Sequence, residues 1–388
     1  MAIRKRKWTA PNGEQKEAWI VDYRDQHGDR HIKTFARKKD ADAYHTAVKG
    51  DVRAGIHTAD RRSLTVAEAG RLWIESSTRT GLERTTIEGY EQHLKFHIVP
   101  LIGATKLSQL TLPAVRLFED RLAKGRSPAM VRKVLRSLGS IVADAQERGL
   151  VAQNVVHSLR RNRRKDRTAR VERRQRGKLK VGVDIPTLDE IRAISAHLEG
   201  ARRPLLLTAV FTGLRASELR GLRWADIDLK RAVLHVRQRA DRYQQIGAPK
   251  SEAGERTVPL PPLLVNTLRE WRLAHHHDLA FANERGKPYA LPTIITRHFH
   301  PAQIAAGLVG PDGKAKYGGL HTLRHFYASW CINRRADGGL ELPLKVVSNR
   351  LGHASIQITA DRYGHLFPSQ DDGAEMAAAE RMLVARPL

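Results

Sequence analysis

Between Leu159 and Gly182 the chain reads LRRNRRKDRTARVERRQRGKLKVG, dense in Arg and Lys with almost no apolar side chains. Such a block cannot bury a core and stays solvated. Folding must therefore proceed separately on either side of it. A chain of 388 residues exceeds one typical core, and 41% apolar residues suffice for two or three. We read residues 163–180 as a basic interdomain linker, longer than a joint requires, whose first part can extend the preceding helix. The formal net charge of +27 points to a polyanionic partner, nucleic acid before membrane. No stretch approaches the ~20 apolar residues of a membrane span, and the opening MAIRKRKW has no apolar run after its charges, so a cytoplasmic protein is expected. The single Cys331 excludes an intramolecular disulfide framework and any CxxC metal site; in FYASWCI it reads as a small core residue.

Beyond the basic block, TLDEIRAISAHL opens with a capping box from Thr187 to Glu190. In RPLLLTAVFTGLRASELRGLRWADIDL an apolar helix breaks at Gly213, Arg215 sits in the turn, and Glu218 starts the next helix. VLHVRQR and RTVPL read as strands of a small sheet. Further on come HTLRHFYASW and LKVVSNRLGHASIQITADRYGHL. His321, Arg324 and His325 stand at i, i+3, i+4, which places them on one helix face. His353 ends a short amphipathic segment, and Tyr363 follows it. A guanidinium fork grips two phosphate oxygens, an imidazole passes a proton near neutral pH, and a phenol can serve as nucleophile.

Metal-centred readings fit less well. His321 and His325 have metal-ligand spacing, but a zinc hydrolase needs Glu after the first His, and Thr322 stands there. Asp226 and Asp228 could suggest a two-metal nuclease, yet their setting reads as a turn before a strand. Three adjacent His275, His276 and His277 cannot all face one ion from a regular helix and read as exposed. AGLVGPDGKAK lacks P-loop spacing, with Ala315 after Lys314, so no nucleotide-fuelled step is indicated.

H-x-L-R-H followed by L-G-H and Tyr, with T-G-L-R-A-S-E upstream, resembles the tyrosine recombinase (phage integrase) family. The resemblance implies catalytic roles for Arg215, Lys250, His321, Arg324, His353 and Tyr363, with Glu218 and His325 orienting the site. Lys250 in APKSEAGERTVPL falls where the family carries a hairpin Lys; Arg239, Arg242 and Arg256 are alternatives. By the same resemblance Tyr363 attacks a backbone phosphate to give a 3′-phosphotyrosyl bond, Arg215 and Arg324 neutralise the non-bridging oxygens, and Lys250 protonates the leaving 5′-oxygen. His321 is the expected base for Tyr363 and His353 a donor to the phosphate. Neither cofactor nor metal is implied.

The front half fits the same picture. AWIVDYRD and RHIKTF around Gly28 read as a hairpin that residues 4–9 can extend to three strands, followed by a helix ending near Gly55. This basic hairpin-plus-helix module, residues 1–60, resembles the arm-type DNA-binding domain of phage integrases. Residues 61–162 show four segments of helical periodicity, with Ser127 as N-cap and Pro128 at N1, and are expected to form a four-helix bundle. They resemble the family's core-binding domain, although Asn154 is followed by Val155 where the family often has Pro. The expected fold is thus multidomain and mainly α: a β-hairpin/helix N-terminal domain, a helical core-binding domain, and a mixed α+β catalytic domain over 181–388. Its tail, 371–388, carries an apolar stripe of Met376, Met382, Leu383 and Val384, to pack on a neighbouring subunit or on its own domain.

The resemblance implies double-stranded DNA partners at core and arm attachment sites, a homotetramer on DNA, a nucleoid-associated place in a bacterium, and the involvement of a host DNA-bending protein and an excisionase. Three functions remain in view: a site-specific recombinase of a phage or other mobile element, a type IB topoisomerase-like relaxing enzyme, and a non-catalytic DNA-binding protein of the same fold.

Overall fold

A computed structural model describes residues 2–9, 11, 13–25, 28–53, 63–163, 178–367 and 372–384. Most of the basic linker, 164–177, lies outside the described residues, as do Arg61 and Arg62 of the expected joint and residues 371 and 385–388 of the expected tail. The chain divides into two compact units, 1–167 and 168–388.

The first unit begins with β1 (Ala2–Thr9), β2 (Gln15–Arg24) and β3 (Arg30–Phe35), an antiparallel sheet in the order β1-β2-β3. Gly28 takes φ 88° in the β2–β3 turn, a left-handed conformation that favours glycine. Helix α1 (Lys38–Arg53) contributes Ala41 and Val48 to a small core with Val21 and Tyr23. A separate helical core is built from α2 (Val66–Arg79), α3 (Arg84–His93), α4 (Val99–Ile102), α5 (Leu112–Ala123), α6 (Pro128–Glu147) and α7 (Val155–Arg163). Ser127 caps α6 with Pro128 in its first turn. The expectation of four helices is corrected here. Helix α3 passes through a π-helical turn (Leu94–Ile98) into α4, because Pro100 has no N–H to continue the α-helical ladder. In addition α7, whose second half falls in the basic run that begins at Leu159, buries Val156 and Leu159 in this core.

The second unit packs helices around small antiparallel sheets. Thr187 forms its capping box with Glu190 at the start of α8 (Leu188–Ala196). Helix α9 (Arg202–Thr212) is buried along Leu205, Leu206, Leu207, Ala209 and Val210, and ends at Gly213 with φ 59°. A Cβ there would also stand 2.3 Å from the Tyr327 ring, so glycine is required twice over. Helix α10 (Ala216–Gly221) follows, then β4 (Ile227–Asp228), β5 (Val233–Val236), β6 (Arg239–Ala240), β7 (Ile246–Gly247) and β8 (Arg256–Pro259). Strand order is β4-β5-β8, with β6-β7 as a separate ribbon. Asp226 is buried against Arg223 and Arg237, and Asp228 closes a turn on the Lys230 and Arg231 amides, as structural acids do.

Next come α11 (Pro262–Ala274), α12 (Leu291–Ile294), a second π turn (Ile295–Phe299) ahead of Pro301, and α13 (His300–Ala305). The His tract is not uniformly exposed: His275 is buried edge-on against Trp271, because Leu279 and Ala280 just after it turn into the core. Helices α14 (His321–Ile332), α15 (Leu344–Leu351) and α16 (Ile356–Tyr363) complete the unit, and α17 (Asp372–Val384) follows. Cys331 is fully buried with Tyr327, Val347 and Leu351. No helix among the described residues is long and apolar enough to cross a membrane.

Candidate active site

Two glycine-broken turns supply the floor of the site. Gly213 ends α9 and hands the chain to Arg215, the N-cap of α10; Gly352, φ 62°, ends α15 and hands it to His353. Arg324 on α14, 2% exposed, donates Nη1 to the Gly213 carbonyl (2.8 Å) and Nη2 to the Leu351 carbonyl (2.5 Å). Arg215 reaches back with Nη2 to the Gly352 carbonyl, 2.8 Å. The two arginines thus hold both turns together and are themselves held.

Glu218 locks this arrangement. Its buried carboxylate accepts from the Arg215 backbone N–H (2.9 Å), from Arg215 Nη1 (2.6 Å) and from Arg256 Nη2 (2.8 Å). Burial pushes the carboxyl up, but the hydrogen bonds and charges of Arg256 and Arg215 outweigh it and hold it below the usual carboxylate range. Arg256 also donates Nε to the Arg350 carbonyl, 2.7 Å, so this alternative to Lys250 is committed to buried structure.

Helix α14 brings His321, Arg324 and His325 to one face, with the two imidazoles 4.5 Å apart. The histidine that meets the phenol is His325: its Nδ1 lies 2.7 Å from the Tyr363 hydroxyl. This corrects the assignment of His321 as the partner of Tyr363. One helical turn separates the two rings, and His325 is the buried one, on the side where α16 packs; His321 stays exposed. Arg362 Nη2 approaches His325 Nε2 at 3.4 Å. Because a guanidinium only donates, that contact leaves Nδ1 to carry the proton and donate it to the phenol oxygen.

The electrostatics follow from crowding of positive charge. His325 is pulled down to about 3 by burial and by His321, Arg362 and Arg324. His353, whose Nδ1 sits 2.8 Å from the Thr359 hydroxyl, is pulled down to about 4 by burial and by Arg324, Arg215 and Arg256. Desolvation and the guanidiniums of Arg324, Arg362 and Arg215 bring His321 to about 4 as well. Since His321 remains open to water, charge repulsion is its firmer cause. Burial and Arg215 lower Arg324 to about 9, still cationic at neutral pH. Tyr363, 2% exposed, is raised by burial against the opposing pull of Arg324 and Arg362. A pocket of neutral imidazoles and clustered guanidiniums is matched to an incoming phosphate.

Arg215, Glu218, His321, Arg324, His325, His353 and Tyr363 therefore converge. Lys250 is exposed on the segment between β7 and β8. Arg256, named from sequence only as an alternative to Lys250, belongs to the cluster through Glu218, and Arg362 and Thr359 join it without having been assigned from sequence; the adjacency of Arg362 to Tyr363 could have signalled it.

Residues 186–370 match the family model described as Phage integrase family. A tyrosine recombinase XerC-like protein of Caldanaerobacter subterraneus subsp. tengcongensis is 26% identical over 376 residues, covering 90% of this chain and 92% of its own. A putative prophage phiRv2 integrase of Mycobacterium tuberculosis is 27% identical over 373 residues, covering 91% of this chain and 90% of its own. The Tn1549 transposon integrase, solved in complex with transposon right end DNA, shares the fold with a TM-score of 0.64 at 18% identity, over 83% of this chain and 100% of that one.

Proposed function

The chain belongs to the tyrosine recombinase (phage integrase) family, and from that premise we propose that it is a site-specific DNA recombinase whose nucleophile is Tyr363. The observation that carries this reading is the buried Tyr363 hydroxyl, held at 2.7 Å by His325 beside the Arg215–Arg324 turn cluster. In the first step Tyr363 Oη bonds to phosphorus and the bond from phosphorus to the 5′-oxygen breaks. Arg215 and Arg324 stabilise the charge on the non-bridging oxygens, joined by His353. His325 orients the phenol, the phenol proton passes to water as Oη reaches phosphorus, and the His325 Nδ1–H stabilises the developing phenolate. Lys250 protonates the departing 5′-oxygen. In the second step a 5′-hydroxyl attacks the phosphotyrosine, its proton returns to Lys250, and Tyr363 leaves and takes its proton back from water. One phosphodiester is exchanged for another, so the bond energy is conserved.

Recombining two duplexes takes four strand cuts, one per Tyr363, which calls for a homotetramer on two DNA sites. The exposed Met376, Met382, Leu383 and Val384 of α17 offer a neighbouring subunit an apolar contact. The basic sheet module at the N-terminus fits a role on separate arm sites, and a DNA-bending host protein and an excisionase would govern direction there.

The test is capture. The protein is incubated with nicked duplexes of randomised sequence, and covalent adducts are isolated under denaturing conditions and sequenced. Adduct formation by the parent, with Tyr363→Phe binding DNA but forming none, is the expected result. Adduct from Tyr363→Phe would move the nucleophile elsewhere. Relaxation of supercoiled plasmid without recombination of paired selected sites would favour a topoisomerase-like enzyme.

A further inference from the structure

We propose that Arg220 is a positioning residue for Lys250, fixing through backbone carbonyls the β6–β7 ribbon from which Lys250 extends. The proposal rests on the recombinase reading and on Lys250 as its general acid. Arg220 lies near the end of α10, the six-residue helix that also carries Glu218 and is capped by Arg215. It is 4% exposed. Its guanidinium is satisfied by main-chain carbonyls, with Nε on Tyr289, Nη1 on Ala240 at 3.4 Å and Nη2 on Asp241 at 3.0 Å. Ala240 is the last residue of β6, and Asp241 opens the turn that follows.

That ribbon cannot hold its own place. It has only the pairs Arg239↔Gly247 and Ala240↔Ile246, and Ile246 and Gly247 are exposed. Isolated two-stranded ribbons are marginal in water even when longer than this. The anchor at its base therefore sets where its far arm lies. Two further contacts reinforce the anchor: Gln238 Nε2 donates to the Gly221 carbonyl at 2.7 Å, and a Cβ on Gly221 would fall 2.7 Å from the Arg239 carbonyl carbon. The turn is rigid, since Asp241 Oδ1 accepts from the Tyr243 and Gln245 amides at 2.8 and 2.9 Å.

From the anchored strand the position is relayed forward. Arg239 Nε donates to the Ala248 carbonyl at 3.1 Å, and Pro249 packs so closely that a Cβ on Gly254 would meet it at 2.6 Å. Lys250 is the next residue. One short helix thus places both the phosphate-binding Arg215, through Glu218, and the proton donor, through Arg220.

The experiment uses full-length protein and a nicked duplex recovered in the capture selection, made with either oxygen or sulfur at the scissile 5′-bridging position. A thiol leaving group, with a pKa of about 8.5, departs without a proton donor, so cleavage of the sulfur duplex does not depend on Lys250. Lys250→Ala is expected to lose about 100-fold on oxygen and to cleave the sulfur duplex within about threefold of the parent. Arg220→Met should show the same split with a loss of about 10-fold or more on oxygen, and Arg220→Lys, which keeps one charged donor, a smaller split. Circular dichroism and DNA binding establish that each variant folds; should Arg220→Met fail to fold, Arg220→Lys decides by the same criterion. Equal losses on both duplexes, or no loss on oxygen, overturn the role of Arg220. Failure of sulfur to rescue Lys250→Ala overturns instead the general-acid assignment beneath it.

Discussion

Replacing Glu218 by Gln tests the electrostatic frame of the site. The carboxylate is 3% exposed and pairs with Arg215 and with Arg256, whose side chain is 5% exposed. Gln keeps an acceptor oxygen but turns a donor toward a guanidinium and leaves two cations uncompensated. Breaking a buried pair in this way costs about 3–5 kcal/mol. In a unit of this size each kcal/mol is worth about 2–4 °C, so at the lower cost the transition should fall by about 6–12 °C. The two compact units need not melt together, so the assay is calorimetry that resolves their transitions. The folded carboxyl lies below its unfolded value of about 4.3, so its stabilisation is complete above that pH and is lost as pH falls through the folded value. The gap between parent and variant should accordingly be full at neutral pH and close in acid. Cleavage should drop by roughly 10²-fold as Arg215 loses its orienting partner. A double variant with Arg256→Met should recover part of the lost stability, because it removes an orphaned charge. A Glu218→Gln protein that melts with the parent at neutral pH, or a gap that persists unchanged in acid, would refute the reasoning.

His321 and His353, both held near 4, are neutral at pH 6, and an arriving phosphate offsets the guanidinium charges that hold them there. DNA binding at pH 6 should then take up protons, measured by titration calorimetry in buffers of different ionisation enthalpy; unchanged uptake in a His321→Gln/His353→Gln variant would count against this. The same lowered values mean that the free protein loses stability as pH falls from about 6.5, the unfolded value, toward 4. Cys331, buried and pushed up to about 11, should resist alkylation in the native protein and react on unfolding; rapid native labelling would show that α14 opens. Cleavage of a nicked duplex should survive chelator, since Arg, Lys and His carry the proposed charges; loss restored by a divalent ion would bring back Asp226 and Asp228 as ligands.

The residues legible from sequence were those whose spacing is itself the geometry. His321, Arg324 and His325 share a face because a helix imposes it. Which imidazole meets Tyr363 depends on where α16 packs, 38 residues beyond His325, and spacing holds no record of that. The strands around β5 and β8 were visible as apolar runs, whereas α7 was obscured by the arginines that follow it. His275 was hidden by its polar neighbours, its burial being decided by Leu279 and Ala280.

The least legible features share a physical cause. Arg215, Arg220, Arg256 and Arg324 all donate to backbone carbonyls, at Gly352, at Asp241, at Arg350 and at Gly213. Every residue carries such an acceptor, so no side-chain pattern marks the partner. An arginine in RASELRGLRW therefore reads as surface charge, although Arg220 is buried and ties elements 69 residues apart. The net charge of +27 for that reason overstates what is available to DNA. Several guanidiniums serve as cross-links inside the second unit, and removing one should disturb the shape of the site before it weakens the salt-dependent grip on phosphate. That ordering separates the two kinds of arginine experimentally: a surface arginine changed to Gln should flatten the salt dependence of binding, whereas a buried one should change cleavage at constant binding.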